Sequence, residues 1–356
     1  MSDPSKLSAR YTTMVVATLS LIVLSCLAWM VPVPYVRLQP GPAYDTLGEF
    51  NGKPMFTFGD GVKTYPTSGS LDFTTVRVGG PEQNLSLVEA VAAYFDGDKA
   101  VVPKDLIYPD NETQEESTAE SAAQLSGSKD SSRVAALRAA GYTVTGRPSV
   151  AGVVKDGASA KVLKPGDVFT AVDGSKVTTP DQVVKAVGTH EPGEVVRMTV
   201  ERKGRSLQVP VTTRADPEDK SIPRVGITIG VTYTYPIKID NNVGRTVGGP
   251  SAGTMFALAI YDKLTPGSLT GGNKIAGTGE MTPEGTVGPI GGIRQKIAGA
   301  ADGGATIFLV PAANCAEATD GDDHGLQLVK ISELDDAISS LEALAKDAHA
   351  KVPTCS

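Results

Sequence analysis

The spacing of apolar positions changes several times along the chain, and each change predicts a different environment. From Met14 to Val33 (MVVATLSLIVLSCLAWMVPV) apolar residues are nearly continuous, and no charge falls between Arg10 and Arg37. Twenty helical residues rising about 1.5 Å each span roughly 30 Å, the hydrocarbon thickness of a bilayer. The pattern predicts an uncleaved transmembrane anchor over 14–33 behind a short cytoplasmic tail, 1–13. A cleaved signal peptide is the alternative; the apolar run continues through Trp29 to Val33 beyond the poor cleavage site at Cys26-Leu27-Ala28, which argues against it. Lys6 and Arg10 precede the span, whereas Arg37 beyond it is followed by Asp45 and Glu49. The positive-inside bias then predicts a single-pass cell-membrane protein with its N-terminus in the cytoplasm and everything after residue 34 extracytoplasmic.

Pro32, Pro34, Pro40, Gly41 and Pro42 forbid continuation of that helix. Ser70 to Val78 (SLDFTTVRV), rich in β-branched and aromatic residues, reads as a strand. Leu85 to Phe95 has helical spacing, with Asn84 or Ser86 as its cap. Residues 109–131, rich in Glu, Ser, Gln and Asp, form either an exposed loop or a polar helix, and Arg133 to Ala140 is a helix stopped by Gly141. Strand patterns then recur over Val150 to Lys155, Val195 to Arg202 and Ser206 to Thr212, around a helix at Pro180 to Val187. Val225 to Ile239 is β-rich, Thr254 to Tyr261 is apolar at helical spacing, and Thr306 to Pro311 is a strand.

Composition narrows the classes. With 40% hydrophobic and 21% charged residues in 356, the chain can bury an ordinary core, as two domains or one large one with appendages. A formal net charge of -7 without a dense basic run argues against a nucleic-acid partner. Cys26, Cys315 and Cys355, with His190, His324 and His349, show no metal-ligand spacing, which argues against a zinc enzyme, and no cofactor is expected. The cysteines are expected as free thiols, with a Cys315–Cys355 disulfide as the alternative.

Within 142–215, Leu163-Lys164-Pro165-Gly166-Asp167-Val168-Phe169-Thr170-Ala171-Val172-Asp173-Gly174 feeds a turn into a short strand and a D-G hairpin, followed by a helix and two strands. This segment resembles a PDZ domain of the bacterial protease type. The resemblance implies peptide binding by strand addition to a sheet edge; a small packing module without a ligand is the alternative.

Further on, Gly248-Gly249-Pro250-Ser251-Ala252-Gly253 runs into the apolar helix. A serine delivered by glycines to a helix start gains a sharp turn and free N–H groups suited to a developing oxyanion. Gly249-x-Ser251-x-Gly253 also satisfies the nucleophile-elbow pattern, but that reading needs an acid and a histidine, and only His324 and His349 follow. The alternative base is a lysine. From Thr278-Gly279-Glu280 the chain runs through Gly285-Thr286-Val287-Gly288-Pro289-Ile290-Gly291-Gly292-Ile293-Arg294-Gln295-Lys296 to a strand ending at Pro311.

This frame closely resembles the proteolytic domain of the Lon family. The resemblance implies Ser251 as nucleophile, Lys296 as general base and Thr278 orienting the lysine; Glu280, Gly249 and Ala252 are supporting positions. Many members carry an acidic residue three before the serine, where this chain has Gly248. No G-x-x-x-x-G-K-[ST] occurs, so the resemblance comes without its usual ATPase. The expected fold is α+β: a Lon-type proteolytic domain over 34–141 and 216–345, a β-rich PDZ domain inserted at 142–215, one transmembrane helix before them and a tail at 346–356. The expected function is a membrane-anchored, ATP-independent serine endopeptidase acting on extracytoplasmic proteins or peptides. A homo-oligomeric ring, such as a hexamer, is implied by family analogy alone. A catalytically silent PDZ scaffold and a Ser-His hydrolase or esterase are the alternatives.

Overall fold

The computed structural model describes residues 9–109, 112–244 and 246–355. Most of the expected tail 1–13, including Lys6 of the orientation argument, lies outside the described residues. The first helix runs Ala9–Met30, and Tyr11–Met30 has a mean hydropathy of 2.1 with none of it buried, long and apolar enough to cross a membrane. It stops three residues short of the expected span. Pro32 has no N–H to continue the helix, and Pro32 and Val33 instead pair antiparallel with Ser86 and Leu85.

The chain folds as two units, one of Met1–Gly141 with Ile237–Ser356 and one of Tyr142–Pro236. In the first, a six-stranded mixed sheet has the order Gln327–Ile331, Ile307–Pro311, Lys274–Gly277, Ser70–Val78, Tyr35–Asp45, Ala100–Pro103. The first four strands are parallel and the last two join antiparallel. Only Tyr261 and Lys263 of the Gly253–Leu264 helix escape burial, which explains a sequence that is apolar on every side. Its Phe256 ring meets Phe73 of the sheet edge-on at 5.5 Å and Phe56 at 6.0 Å. The segment 109–131 contributes to a single 26-residue helix, Gln114–Ala139, opened by a capping box between Thr113 and Glu116.

The second unit is a sheet in the order Arg205–Thr212, Val195–Arg202, Val168–Val172, Thr145–Val153, Ile227–Thr234, with the Pro180–Val187 helix. Its core is built from Val150, Phe169, Val183, Met198 and Val211 among others. Asp167 of the L-K-P-G-D turn is buried against Arg202, which holds both carboxylate oxygens at 2.6 Å.

The structural units divide at a different place from the expected 215/216 boundary. Val225 to Ile239 falls within the expected 216–345, yet Ile227–Thr234 pairs with Thr145–Val153 and Val225 enters the second unit's core. The first unit resumes at Ile237, and Ile239–Asn241 pairs with Phe56–Phe58 there. A β-rich run shows that a strand exists without saying which strand it pairs with.

The cysteine expectation is also corrected. Cys315 and Cys355 form a disulfide with Cα atoms 5.1 Å apart, and Cys26 is free and exposed. The expected tail is therefore sewn to the sheet: Lys330 N donates to Pro353 O at 3.0 Å and Cys355 N to Leu328 O at 3.3 Å. Closing a loop of this sequence separation, 40 residues, restricts the unfolded chain by about 4 kcal/mol on the chain-entropy account. Cys355→Ser is expected to lower the unfolding free energy of the first unit by about that amount in urea titrations. A loss below about 1 kcal/mol would mean that the tail is held by its backbone pairing instead.

Candidate active site

Ser251 sits at the end of a loop that the sequence forces into a tight path. Gly249 adopts φ 84°, the left-handed region that side chains rarely enter. A Cβ on Gly248 would lie 2.7 Å from Ser121 Cβ, so the acidic residue that the resemblance leads one to expect here has no room. The Gln114–Ala139 helix braces this loop from beneath with small polar residues. Ser121 O accepts from Gly249 N at 3.0 Å, Ser128 Oγ donates to Pro250 O at 2.8 Å, and Ser132 Oγ donates to Gly253 O at 2.8 Å. These serines were not anticipated as site residues.

On the other side, the carbonyl of Ser251 accepts from Gly279 N at 2.8 Å and from Thr278 Oγ1 at 3.0 Å. Ala252 is the buried N-cap of the following helix, and its carbonyl accepts from Phe256 N at 3.0 Å. Among the described residues, no acceptor is paired with the N–H of Ser251 or of Ala252. Two unengaged amides beside the Oγ can receive a developing oxyanion.

Lys296 occupies the first turn of the Ile293–Asp302 helix and is 3% exposed. Its Nζ lies 2.9 Å from Ser251 Oγ, 3.1 Å from Thr278 Oγ1 and 3.2 Å from Thr74 O. No carboxylate bonds it among the described residues. Desolvation pushes its pKa from 10.5 down to about 7.

The hydrogen-bond directions follow from what each partner can do. Thr74 O can only accept, and Thr278 Oγ1 gives its proton to Ser251 O, so Nζ must donate to both. A neutral amine has two N–H bonds and one lone pair, so the lone pair is left for the Ser251 hydroxyl proton. A groove of about 660 Å³, lined by Thr74, Val76, Val78, Val247, Ser251 and Lys296 among others, opens at this point.

Of the expected residues, Ser251, Thr278 and Lys296 are thus brought together, with Gly249 and Ala252 shaping the turn. Glu280 stays exposed on a short strand pair with Gly288 and makes no hydrogen bond to the three among the described residues. Neither histidine serves Ser251: His324 Nε2 is 3.0 Å from Asp98 Oδ1, and His349 is exposed beside Asp347. That removes the basis of the Ser-His alternative. Asn314, also unanticipated, clamps the approach to Lys296. Its Nδ2 donates to Ile290 O and its Oδ1 accepts from Ile290 N, both at 2.9 Å, fixing the loop that enters the lysine's helix.

The buried amine carries a stability signature. Below pH 7 it is protonated in both folded and unfolded chains, so folding bears the full cost of burying a cation. Between about 7 and 10.5 only the unfolded chain holds the extra proton, and stability rises with pH through this window. Lys296→Met is therefore expected to stabilise the unit most below pH 7, by up to about 5 kcal/mol, with the advantage shrinking toward pH 10. Urea titrations of both proteins at pH 6 and pH 10 test this; an advantage equal at both pH values would mean that the lysine titrates normally.

Residues 220–344 match the Lon protease (S16) C-terminal proteolytic domain and residues 141–213 match a PDZ domain. The Lon protease of Phenylobacterium zucineum (strain HLK1) is 26% identical over 201 residues, covering 55% of this chain and 24% of that protein. Lon protease 1 of Sorangium cellulosum (strain So ce56) is 38% identical over 94 residues, covering 26% and 11%. A probable periplasmic serine endoprotease, DegP-like, of Brucella suis biovar 1 (strain 1330) is 42% identical over 72 residues, covering 20% and 14%. The chain spans less than a quarter of the length of these relatives. It carries a Lon-protease C-terminal proteolytic domain and a separate PDZ domain.

Proposed function

We propose that the protein is a membrane-anchored serine endopeptidase that works without ATP, with Ser251 as nucleophile and Lys296 as general base. One observation carries the reading: a lysine amine without a carboxylate partner, its pKa lowered to about 7, lies 2.9 Å from a serine Oγ. A scaffold has no physical need for such an amine, whose burial costs stability at neutral pH. In the first step the Ser251 Oγ–H proton passes to Nζ as Oγ attacks the scissile carbonyl, and the Ser251 and Ala252 amides receive the oxyanion. Lys296 then protonates the leaving amine, and once neutral again it takes a proton from the water that hydrolyses the acyl-enzyme.

The sheet register suggests how a substrate lies. Lys274–Gly277 pairs with Ser70–Phe73 and stops there, so the edge of Thr75–Val78 on that side is unpaired among the described residues. Val76, Arg77 and Val78 line the groove that holds Ser251. An extended peptide that adds to this edge as a strand brings its carbonyl to Oγ. The PDZ domain supplies a second peptide-binding edge for selecting substrates or sensing their tails. The Tyr11–Met30 helix serves as the anchor, and the Cys315–Cys355 disulfide suits an oxidising, extracytoplasmic compartment.

Labelling by a fluorescent phosphonate serine probe tests the reading. The labelling rate is expected to rise with pH, reach half its maximum near pH 7 and level off above it, because only the neutral amine accepts the proton. Ser251→Ala and Lys296→Ala should abolish it, and Lys296→Arg, which cannot deprotonate, should be equally dead. A reactive Arg variant, or a rate still climbing through pH 10, would remove lysine from the mechanism.

A further inference from the structure

The Leu87–Tyr94 helix is built inside out for a protein in water. Ser86 caps it through a reciprocal pair with Glu89, so the helix is a defined element. The residues it buries are small, Ala90 and Ala93, whereas Leu87, Val91, Tyr94 and the following Phe95 stand exposed, the last two at 75% and 82%. At about 100° per residue, Leu87, Val91 and Tyr94 share an arc of roughly 60°, and Phe95 lies about 40° beyond it. A helix facing water turns its large apolar residues inward, and a contiguous apolar face left outside marks a place where something else sits.

The backbone places this helix beside the end of the N-terminal one. Leu87 N donates to Val31 O at 3.1 Å, and Pro32 and Val33 pair with Ser86 and Leu85. The helix therefore starts in direct contact with the first residue after the Ala9–Met30 helix, whose own end presents exposed Trp29 and Met30. The short turn Lys104–Leu106 is held at the same level, since Lys104 N donates to Pro34 O at 3.0 Å, and its Leu106 is also exposed. Aromatic and aliphatic side chains thus crowd the point where a membrane-length helix ends, the composition that favours a bilayer interface.

We propose that this face lies in the outer interfacial layer of the membrane that the N-terminal helix enters, with Leu87, Val91, Tyr94 and Phe95 inserted among headgroups and upper acyl chains. The inference rests on the membrane-anchor reading. The first unit is then seated on the bilayer rather than suspended from a flexible tether, and the occupant of the face is lipid.

The chain's single tryptophan, Trp29, provides separate readouts for the anchor and for the face. The full chain is reconstituted in phosphatidylcholine–phosphatidylglycerol vesicles carrying brominated acyl chains, as wild type and as Trp29→Phe with Phe95→Trp. Serine-probe labelling at the wild-type rate certifies the fold of the variant, whose new tryptophan replaces an exposed ring. The expected result is a blue-shifted emission quenched by brominated lipid for both proteins. Quenching of Trp29 alone, with red-shifted emission from position 95, overturns the proposal and leaves the anchor standing. If neither is quenched, the anchor reading falls and the proposal with it. Emission from position 95 that is shielded from aqueous iodide yet untouched by brominated lipid overturns the proposal in favour of a protein partner, such as a second copy of the chain.

Discussion

A lysine amine buried without a carboxylate is tolerable inside a protein only if it can lose its proton or donate to every neighbour that could satisfy it. Lys296 does both, because its three neighbours, Ser251 Oγ, Thr278 Oγ1 and Thr74 O, can all accept from an ammonium, and one of them can donate to a neutral amine. Each neighbour comes from a different element, so the amine's surroundings exist only when those elements are packed. Thr74 comes from the central sheet, Ser251 from the loop before the buried helix, and Thr278 from the end of the next parallel strand. The fold supplies the low polarity, and the low polarity lowers the amine's pKa.

The elements around this amine are held in place by separate sets of contacts. The serine loop rests on Ser121, Ser128 and Ser132 of one long helix, and the lysine helix is indexed by the Asn314 clamp on Ile290. Cys315 stands next to Asn314 and packs against the core that contains Ile293 and Ile297, so the disulfide reinforces the same wall. In the proposed mechanism the base must meet a hydroxyl proton at hydrogen-bond range and benefits from such support, since small displacements are costly in rate.

Ser251 stood out in the sequence through the glycines around it, whereas Thr278 and Lys296 were pointed to only by the resemblance to the Lon proteolytic domain; the structure brings the three side chains together. The bracing serines were harder to see, although Ser121, Leu125, Ser128 and Ser132 recur at i, i+4, i+7 and i+11, one helix face. Serine at a buried helix position reads as polar, and apolar periodicity passes over it. Thr74 contributes a carbonyl, which no side-chain pattern encodes. The partner of the strand Ile227–Thr234 was not legible for another reason: pairing is decided by long-range register with Thr145–Val153, and local composition carries no record of it. Likewise the Cys315–Cys355 pair follows from the tail's return along Gln327–Ile331, a tertiary event.

The account depends on the protonation state of one nitrogen, which can be observed directly. In protein labelled with ¹⁵N at lysine side chains, the Nζ resonance lost in Lys296→Met belongs to the buried amine, and its shift can be followed as pH is raised with Ser251 intact. A titration midpoint near 7, with every other lysine still charged, is the result expected from burial without a counter-ion. An amine at position 296 that stays protonated through pH 9 would contradict the central claim.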